Sequence, residues 1–243
     1  MAPIKNPIKR LPVKGSNSFA TVRVVPMTRR LLNIWHDQIQ PLIDENYSTY
    51  PCDPDKRIRA DVGWNWKRFS YYALAHDAAF ITQENRSTIK LCVVAVPEDP
   101  NHTEKDYFPI GMLILVPKFE CNAPAKADRA FTWYLSNAPR EAYDTYLKDA
   151  RGKGVRIEGV AKMLLDCVVQ AAIDIKADGT MLLRAATEGG MHLKRFYGEC
   201  RLRSLKYSNG PVSFVRRKNP EEYFLLHRTN AKIMAKCGDP LRV

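Results

Sequence analysis

Apolar residues recur along this chain with two different spacings. From Val160 they fall at Met163, Leu164, Cys167, Val168, Ala171 and Ile175, the three-and-four rhythm of a helix with one buried face. Gly179 stands just past its end, where a glycine stops a helix. Elsewhere the apolar residues come in runs of strand length. Ile89–Val96 and Ile110–Val116 are apolar at almost every position, which predicts strands covered on both faces. Ala130–Ser136 is a third such run, and Met181–Ala186 follows the long helix. Phe19–Val25 alternates well enough for a first strand. Thr28 then caps a helix with Leu31, Leu32, Trp35, Ile39 and Leu42 on one face, bent or broken near Pro41.

The remaining segments complete an α/β or α+β plan. Tyr47–Arg59, with Pro51 and Pro54, reads as a loop, and an aromatic-rich helix follows over Val62–His76. A helical turn is predicted at Tyr143–Leu147, and helices over Met191–Cys200 and Glu221–Lys236. Ser204–Tyr207 and Val212–Arg216 form a hairpin around Asn209-Gly210. There is no internal repeat. Residues 1–18 carry Lys5, Lys9, Arg10 and Lys14 among three prolines and read as a flexible basic tail, leaving residues 19–243 as a single domain.

Composition narrows the picture. With 243 residues, 45% hydrophobic and 10% aromatic, the chain can bury a substantial core. No apolar run approaches a membrane span, and no apolar block follows the first lysines as in a secretory signal. The six cysteines (Cys52, Cys92, Cys121, Cys167, Cys200 and Cys237) lack C-x-x-C pairing, which fits reduced thiols in a cytoplasm and no metal site. Thirty-eight Lys and Arg against 26 Asp and Glu leave a charge of +12, which favours anionic partners over a polyamine substrate.

The chemistry concentrates where the long helix begins. Arg151-Gly152-Lys153-Gly154 is a basic, glycine-rich loop, and Val155-Arg156-Ile157-Glu158-Gly159-Val160-Ala161 carries the chain into the helix. A curled backbone, unpaired N–H groups and adjacent cations make a site for a pyrophosphate. A solvated turn accounts for the same residue types. The pattern is neither a P-loop nor a dinucleotide fingerprint.

Arg156-x-x-Gly159-x-Ala161 resembles the acetyl-CoA signature of the GNAT superfamily of N-acetyltransferases, Gln/Arg-x-x-Gly-x-Gly/Ala. The run Phe196-Tyr197-Gly198-Glu199-Cys200-Arg201-Leu202 resembles that family's second signature, and Pro109-Ile110-Gly111-Met112 is similar to its third strand. Three departures stand out: Arg201 where glycine is usual, Leu202 where phenylalanine is, and Gly190 where an asparagine often contacts the cofactor. The resemblance covers Ile89 to Arg216. It implies a GNAT-like mixed, mostly antiparallel central sheet flanked by helices on both faces, with acetyl-CoA as cofactor.

The resemblance also implies roles. The pyrophosphate would be held by Arg151, Gly152, Lys153, Gly154, Val155, Arg156, Gly159, Val160 and Ala161. A main-chain N–H within Trp133–Ser136, assigned to Leu135, would polarise the thioester carbonyl, and Tyr197 would be the general acid. For a base the residues themselves offer Glu120, Asp128 and Glu188 near strand ends, with Glu120 the choice, and His76 and His192 behind them. The expected acceptor is a primary amine on an anionic macromolecule, either an acidic protein surface or an aminoacyl-tRNA. It would meet Arg201, Arg203, Lys206, Arg216, Arg217 and Lys218 and the aromatic segment Trp64–Tyr72. A non-catalytic nucleic-acid-binding protein on the same scaffold is the competing class, though no reader motif is present.

Overall fold

The computed structural model describes residues 4–49, 57–121, 125–149, 152–205 and 223–243. Among these, the strands in chain order are β1 (Arg10–Pro12), β2 (Phe19–Pro26), β3 (Tyr47–Ser48), β4 (Arg57–Ile58), β5 (Ile89–Ala95), β6 (Phe108–Cys121), β7 (Ala127–Asn137), β8 (Met181–Arg184), β9 (Arg203–Ser204) and β10 (Tyr223–Leu226). The helices are α1 (Arg29–Ile34), α2 (Gln40–Asn46), α3 (Trp66–Ala79), α4 (Arg140–Tyr146), α5 (Val160–Asp174), α6 (Gly190–Glu199) and α7 (Arg228–Gly238).

Eight of the strands form one sheet in the order β1-β2-β5-β6-β7-β8-β10-β9. Every neighbouring pair is antiparallel except β7 with β8, which is parallel. This is the mixed, mostly antiparallel sheet that the resemblance implies. The central strands are covered on both faces: Leu91–Ala95 and Pro109–Pro117 are buried without alternation. Helix α5, which crosses from β7 to β8, packs on β6 and β7 and against α7. Its buried residues Leu164, Leu165, Val168, Val169 and Ala172 spread over more than one face, so it is a core element rather than a surface one.

The bend or break expected near Pro41 takes the form of a widened turn, since Pro41 has no N–H to donate. The turn just before it, Trp35–Ile39, widens to a π-helix that links α1 to α2 without breaking the rod. Thr28 caps α1, accepting the Leu31 N–H at 3.3 Å. Helix α3 begins at Trp66 rather than Val62, because the Asn65 side chain caps it by accepting the Arg68 N–H at 2.9 Å.

Two expectations are corrected. The segment 223–226, assigned to a helix over Glu221–Lys236, is strand β10, and the helix starts only at Arg228. Tyr-Phe-Leu-Leu is buried at all four positions between β8 and β9, where a helix would leave the two strand edges unpaired. The flexible basic tail is also not found within residues 4–18. Ile4, Ile8 and Leu11 are buried, β1 pairs with β2, and the Lys9 N–H donates to Leu241 O at 2.8 Å. Arg242 ties the two chain ends together. It donates to Asn6 O at 2.5 Å and pairs with the buried Asp166 carboxylate at 2.7 Å. The Asn209-Gly210 hairpin lies outside the described residues. No helix among the described residues is long and apolar enough to cross a membrane.

A packed N-terminal segment has a measurable consequence. Leu11→Ala should cost about 2–5 kcal/mol in urea unfolding, the usual range for a buried leucine, whereas a leucine in a solvated tail would cost almost nothing.

Candidate active site

The parallel pairing of β7 and β8 is short. Ala130, Phe131 and Thr132 face Met181, Leu182 and Leu183, and there the strands part. Beyond that point β7 continues through Asn137 with β6 on one side and, among the described residues, no strand on the other. The gap is a cavity of ≈ 960 Å³. Thr132 to Asn137 of β7 form one wall and Leu183 and Arg184 of β8 the opposite one, with Ala161 of α5 at the cavity and Phe196 and Tyr197 contributed by α6. Tyr47, Arg57–Asp61 and Trp64 close the remaining side.

The hydrogen-bond register decides which main-chain groups face this gap. The Ala138 N–H donates to Ile110 O at 2.8 Å, so Ala138 and Ile110 are a hydrogen-bonded antiparallel pair. In such a ladder facing residues alternate between exchanging both bonds and pointing them outward. Ser136 and Tyr134 therefore bond to β6, while the N–H and C=O of Leu135 and Asn137 point into the cleft. Between Ile114 and Leu115 the register shifts, which leaves Trp133 as the extra residue of a bulge where the strands part. The register thus points the Leu135 N–H into the cleft, with no hydrogen-bond partner among the described residues.

The start of α5 opens into the same cavity through Ala161. Its N-cap is Gly159 at φ 84, in the left-handed region, and no described side chain caps the first turn. The run before it is narrower than expected as an anion cradle, because much of it is already engaged. Gly152 and Lys153 donate to Asp149, Val155 N–H donates to Leu147 O at 2.7 Å, and Glu158 N–H donates to Pro12 O at 2.9 Å. The amides at the start of α5, before Met163 N–H closes on Gly159 O at 2.9 Å, are not among those engaged. Arg156, the expected cation, is held by the Asp144 carboxylate through Nε at 3.0 Å and Nη2 at 2.6 Å. That hydrogen-bonded guanidinium keeps the Asp144 carboxyl below its ordinary pKa. Gly154 lies tight against the Asp144 backbone, where a Cβ would come within 2.8 Å of its Cα. Arg151 lies outside the described residues.

Tyr197 is buried and lines the cavity. Burial raises its phenol pKa first, with Cys200 and then Asp61 adding to the effect, so the phenol stays protonated at neutral pH. Arg201, standing where the second signature usually has glycine, sits at φ 64. The position demands the left-handed conformation, and here an arginine adopts it at a cost.

Glu120 is not brought to this site. It lies at the far end of β6, facing Asp128, and pairs with Lys126 at 3.1 Å and Arg86 at 3.9 Å on an exposed edge. Nearness to a strand end does not say which end: Glu120 is nine positions along β6 from Gly111, roughly 30 Å at about 3.3 Å per residue. Asp128 belongs to the same surface cluster, and His76 is buried, its Nε2 against Arg86 O at 2.9 Å. Glu188 and His192 do line the cavity.

The carboxylate that sequence reading missed is Asp61, 5% exposed and part of the cavity wall. Arg59 grips it with Nε at 2.8 Å and Nη2 at 2.7 Å, and the Ser136 hydroxyl donates to its Oδ2. The only signal was an Arg-x-Asp pair in a stretch without periodicity. About half of the aromatic segment is core, as plain packing would have it. Trp66 is buried against Trp35, and Phe69 stacks on Tyr134 at 3.8 Å, while Tyr71 and Tyr72 are exposed.

No protein-family model matches the chain, and no curated protein does. Among solved structures, a mutant of the toxin AtaT bound to the C-terminus of the antitoxin AtaR and to acetyl-CoA is similar over 88% of this chain and 97% of that one. The identity is 10% and the TM-score 0.40.

Gly159 is the position where the cleft's geometry is most directly testable without a ligand. Gly159→Ala should destabilise by about 1–2 kcal/mol, the cost of a left-handed non-glycine residue, in thermal unfolding. The nearest atom a Cβ would meet is Leu11 Cδ2 at 3.6 Å, ordinary contact, so crowding adds nothing.

Proposed function

We propose that the cleft is the active site of an acyl-CoA-dependent N-acyltransferase that moves an acetyl group to a primary amine. One observation carries this reading. Three features that such a transfer requires converge on one cavity: the uncapped start of α5, the outward Leu135 N–H and the buried Tyr197 phenol. The resemblance of Arg156-x-x-Gly159-x-Ala161 and Phe196-Tyr197 to the GNAT signatures supports the same assignment from sequence.

Acetyl-CoA would supply the activated thioester. The α5 first-turn amides hold its pyrophosphate, with the helix dipole behind them. Gly159 leaves the approach free of a Cβ. The Leu135 N–H donates to the thioester oxygen as negative charge develops there. The attacking amine forms the C–N bond as the C–S bond breaks, and the Tyr197 phenol gives its proton to the departing thiolate. The proton lost by the amine returns to the Tyr197 phenolate, and the phenol is restored. The acceptor we assign is an anionic macromolecule bearing the amine, an aminoacyl-tRNA or an acidic protein face, on the strength of the +12 charge and the exposed Arg201 and Arg203.

Calorimetry with acetyl-CoA tests the assignment. Saturation at a hundredfold excess over Kd should add about 2.7 kcal/mol of stability, seen as a higher Tm; a protein that only binds nucleic acid would show neither heat nor shift. Tyr197→Phe should lower turnover about 10²–10⁴-fold, with any amine acceptor found by a mass-shift screen, and leave CoA affinity unchanged. Loss of CoA affinity in that variant would remove Tyr197 from the role of acid.

A further inference from the structure

The outward edge of β7 raises a question that the acyltransferase reading leaves open, and the role inferred below for Arg59 and Asp61 rests on that reading. Among the described residues no strand lies against this edge to fix its position, yet the Leu135 N–H must meet a carbonyl oxygen to within a fraction of an ångström. Asn137, two residues on and with the same outward orientation, is not left bare. Its carbonyl accepts a hydrogen bond from Arg59 Nη2 at 2.7 Å. The same nitrogen reaches Asp61 Oδ2 at 2.7 Å, and Oδ2 also accepts the Ser136 hydroxyl. One ion pair therefore grips two successive residues of β7, one by its main chain and one by its side chain.

The pair is itself rigidly mounted. Arg59 and Asp61 side chains are only 16% and 7% exposed. Asp61 O accepts from Gln40 Nε2 at 2.8 Å, and Gln40 Oε1 accepts from Trp35 Nε1 at 3.3 Å, which ties the clamp to the buried rod of α1 and α2. The guanidinium also lies over the Tyr47 ring at 5.1 Å, and Tyr47 donates its hydroxyl proton to Glu141 at 3.0 Å. Two charges withdrawn from water are a costly way merely to stabilise a loop, since an apolar pair of similar size would often do as well. Their forked geometry does something that an apolar pair cannot: it satisfies and locates a bare carbonyl.

We infer that Arg59, locked by Asp61, takes the place that no described strand fills at the end of β7 and holds the Leu135 N–H in line with the thioester carbonyl. Both are positioning residues, acting through β7 and not on substrate. Arg59→Lys keeps the charge but loses the fork, and Asp61→Asn keeps the shape but loses the anion.

The test reads the carbonyl directly, with acetyl-CoA carrying carbon-13 at the thioester carbon. Its resonance should move downfield when wild-type protein binds it. In Arg59→Lys and Asp61→Asn the bound resonance should return at least halfway to the free position, while the Kd for CoA stays within about threefold, since the α5 amides are untouched. A bound resonance unchanged in both variants overturns the inference. So does a loss of shift that comes with an equal loss of CoA affinity, which would make the clamp a folding element. Where either variant fails to fold, Ser136→Ala removes one grip only and should give a smaller move of the same sign; no move overturns the proposal. The Leu135 amide cross-peak in ligand-free protein separates the two readings. It should shift or broaden in Arg59→Lys even if wild-type protein binds no acetyl-CoA, a result that would end the acyltransferase assignment but not the clamp on β7.

Discussion

The molecule turns on the parting of β7 from β8 after Thr132. A parallel pair in the middle of a sheet ordinarily runs on, because each further residue satisfies main-chain groups that otherwise sit bare in a low-dielectric interior. Here β8 ends at Arg184 while β7 continues, and the bulge at Trp133 bends the strand where the separation starts. Two residues, Leu135 and Asn137, consequently direct their polar groups into a cavity. Asn137 has its carbonyl satisfied by Arg59. The Leu135 N–H has no partner among the described residues, and the proposed acyltransferase function draws on that asymmetry more than on any single side chain.

Much of this was legible in the sequence, for a physical reason. The central strands and α5 are buried so thoroughly that their apolar periodicity has little competition, and Ile89, Ile110, Ala130 and Val160 marked their starts within a few residues. What failed was set by partners far along the chain. Tyr223–Leu226 has no local feature that separates a short buried strand from the first turn of the helix behind it; only pairing with β8 decides. The N-terminal residues looked like a tail because lysines and prolines outnumber Ile4, Ile8 and Leu11, yet those three are what the core takes. Asp61 was invisible because its partner Ser136 is 75 residues away. Glu120 does lie near a strand end, but an antiparallel meander puts alternate strand ends on opposite edges of the sheet.

The signature departures bear on the same point. A family pattern mixes residues required for chemistry with residues required for backbone shape. Arg201 keeps the shape: at φ 64 it holds the left-handed turn that follows α6, and Leu202 N–H still closes that turn on Tyr197 O at 3.0 Å. The substitution therefore costs conformational energy without moving Tyr197 out of the cavity. Chemistry and shape are separable at this position, and the loss of a glycine there does not argue against a working acid.

The engaged amides before α5 need the same separation of roles. Were Lys153, Val155 and Glu158 all free, the loop would be floppy, and an arriving anion would have to order it at an entropic cost. Instead Val155 is pinned to Leu147, and the Arg156–Glu158 run is pinned to β1 through Lys14 N–H to Arg156 O at 2.8 Å and Glu158 N–H to Pro12 O at 2.9 Å. β1 is in turn held by the contacts between the chain ends, where Arg10 Nη2 donates to Pro240 O at 2.8 Å and Arg242 pairs with Asp166. The first turn of α5 thus presents its amides from a fixed base. Asp144 completes the arrangement, since it holds Arg156 beside the helix start. An exposed pair of this kind is weak, so in the proposed acyltransferase the Arg156 guanidinium would be able to leave Asp144 for the pyrophosphate.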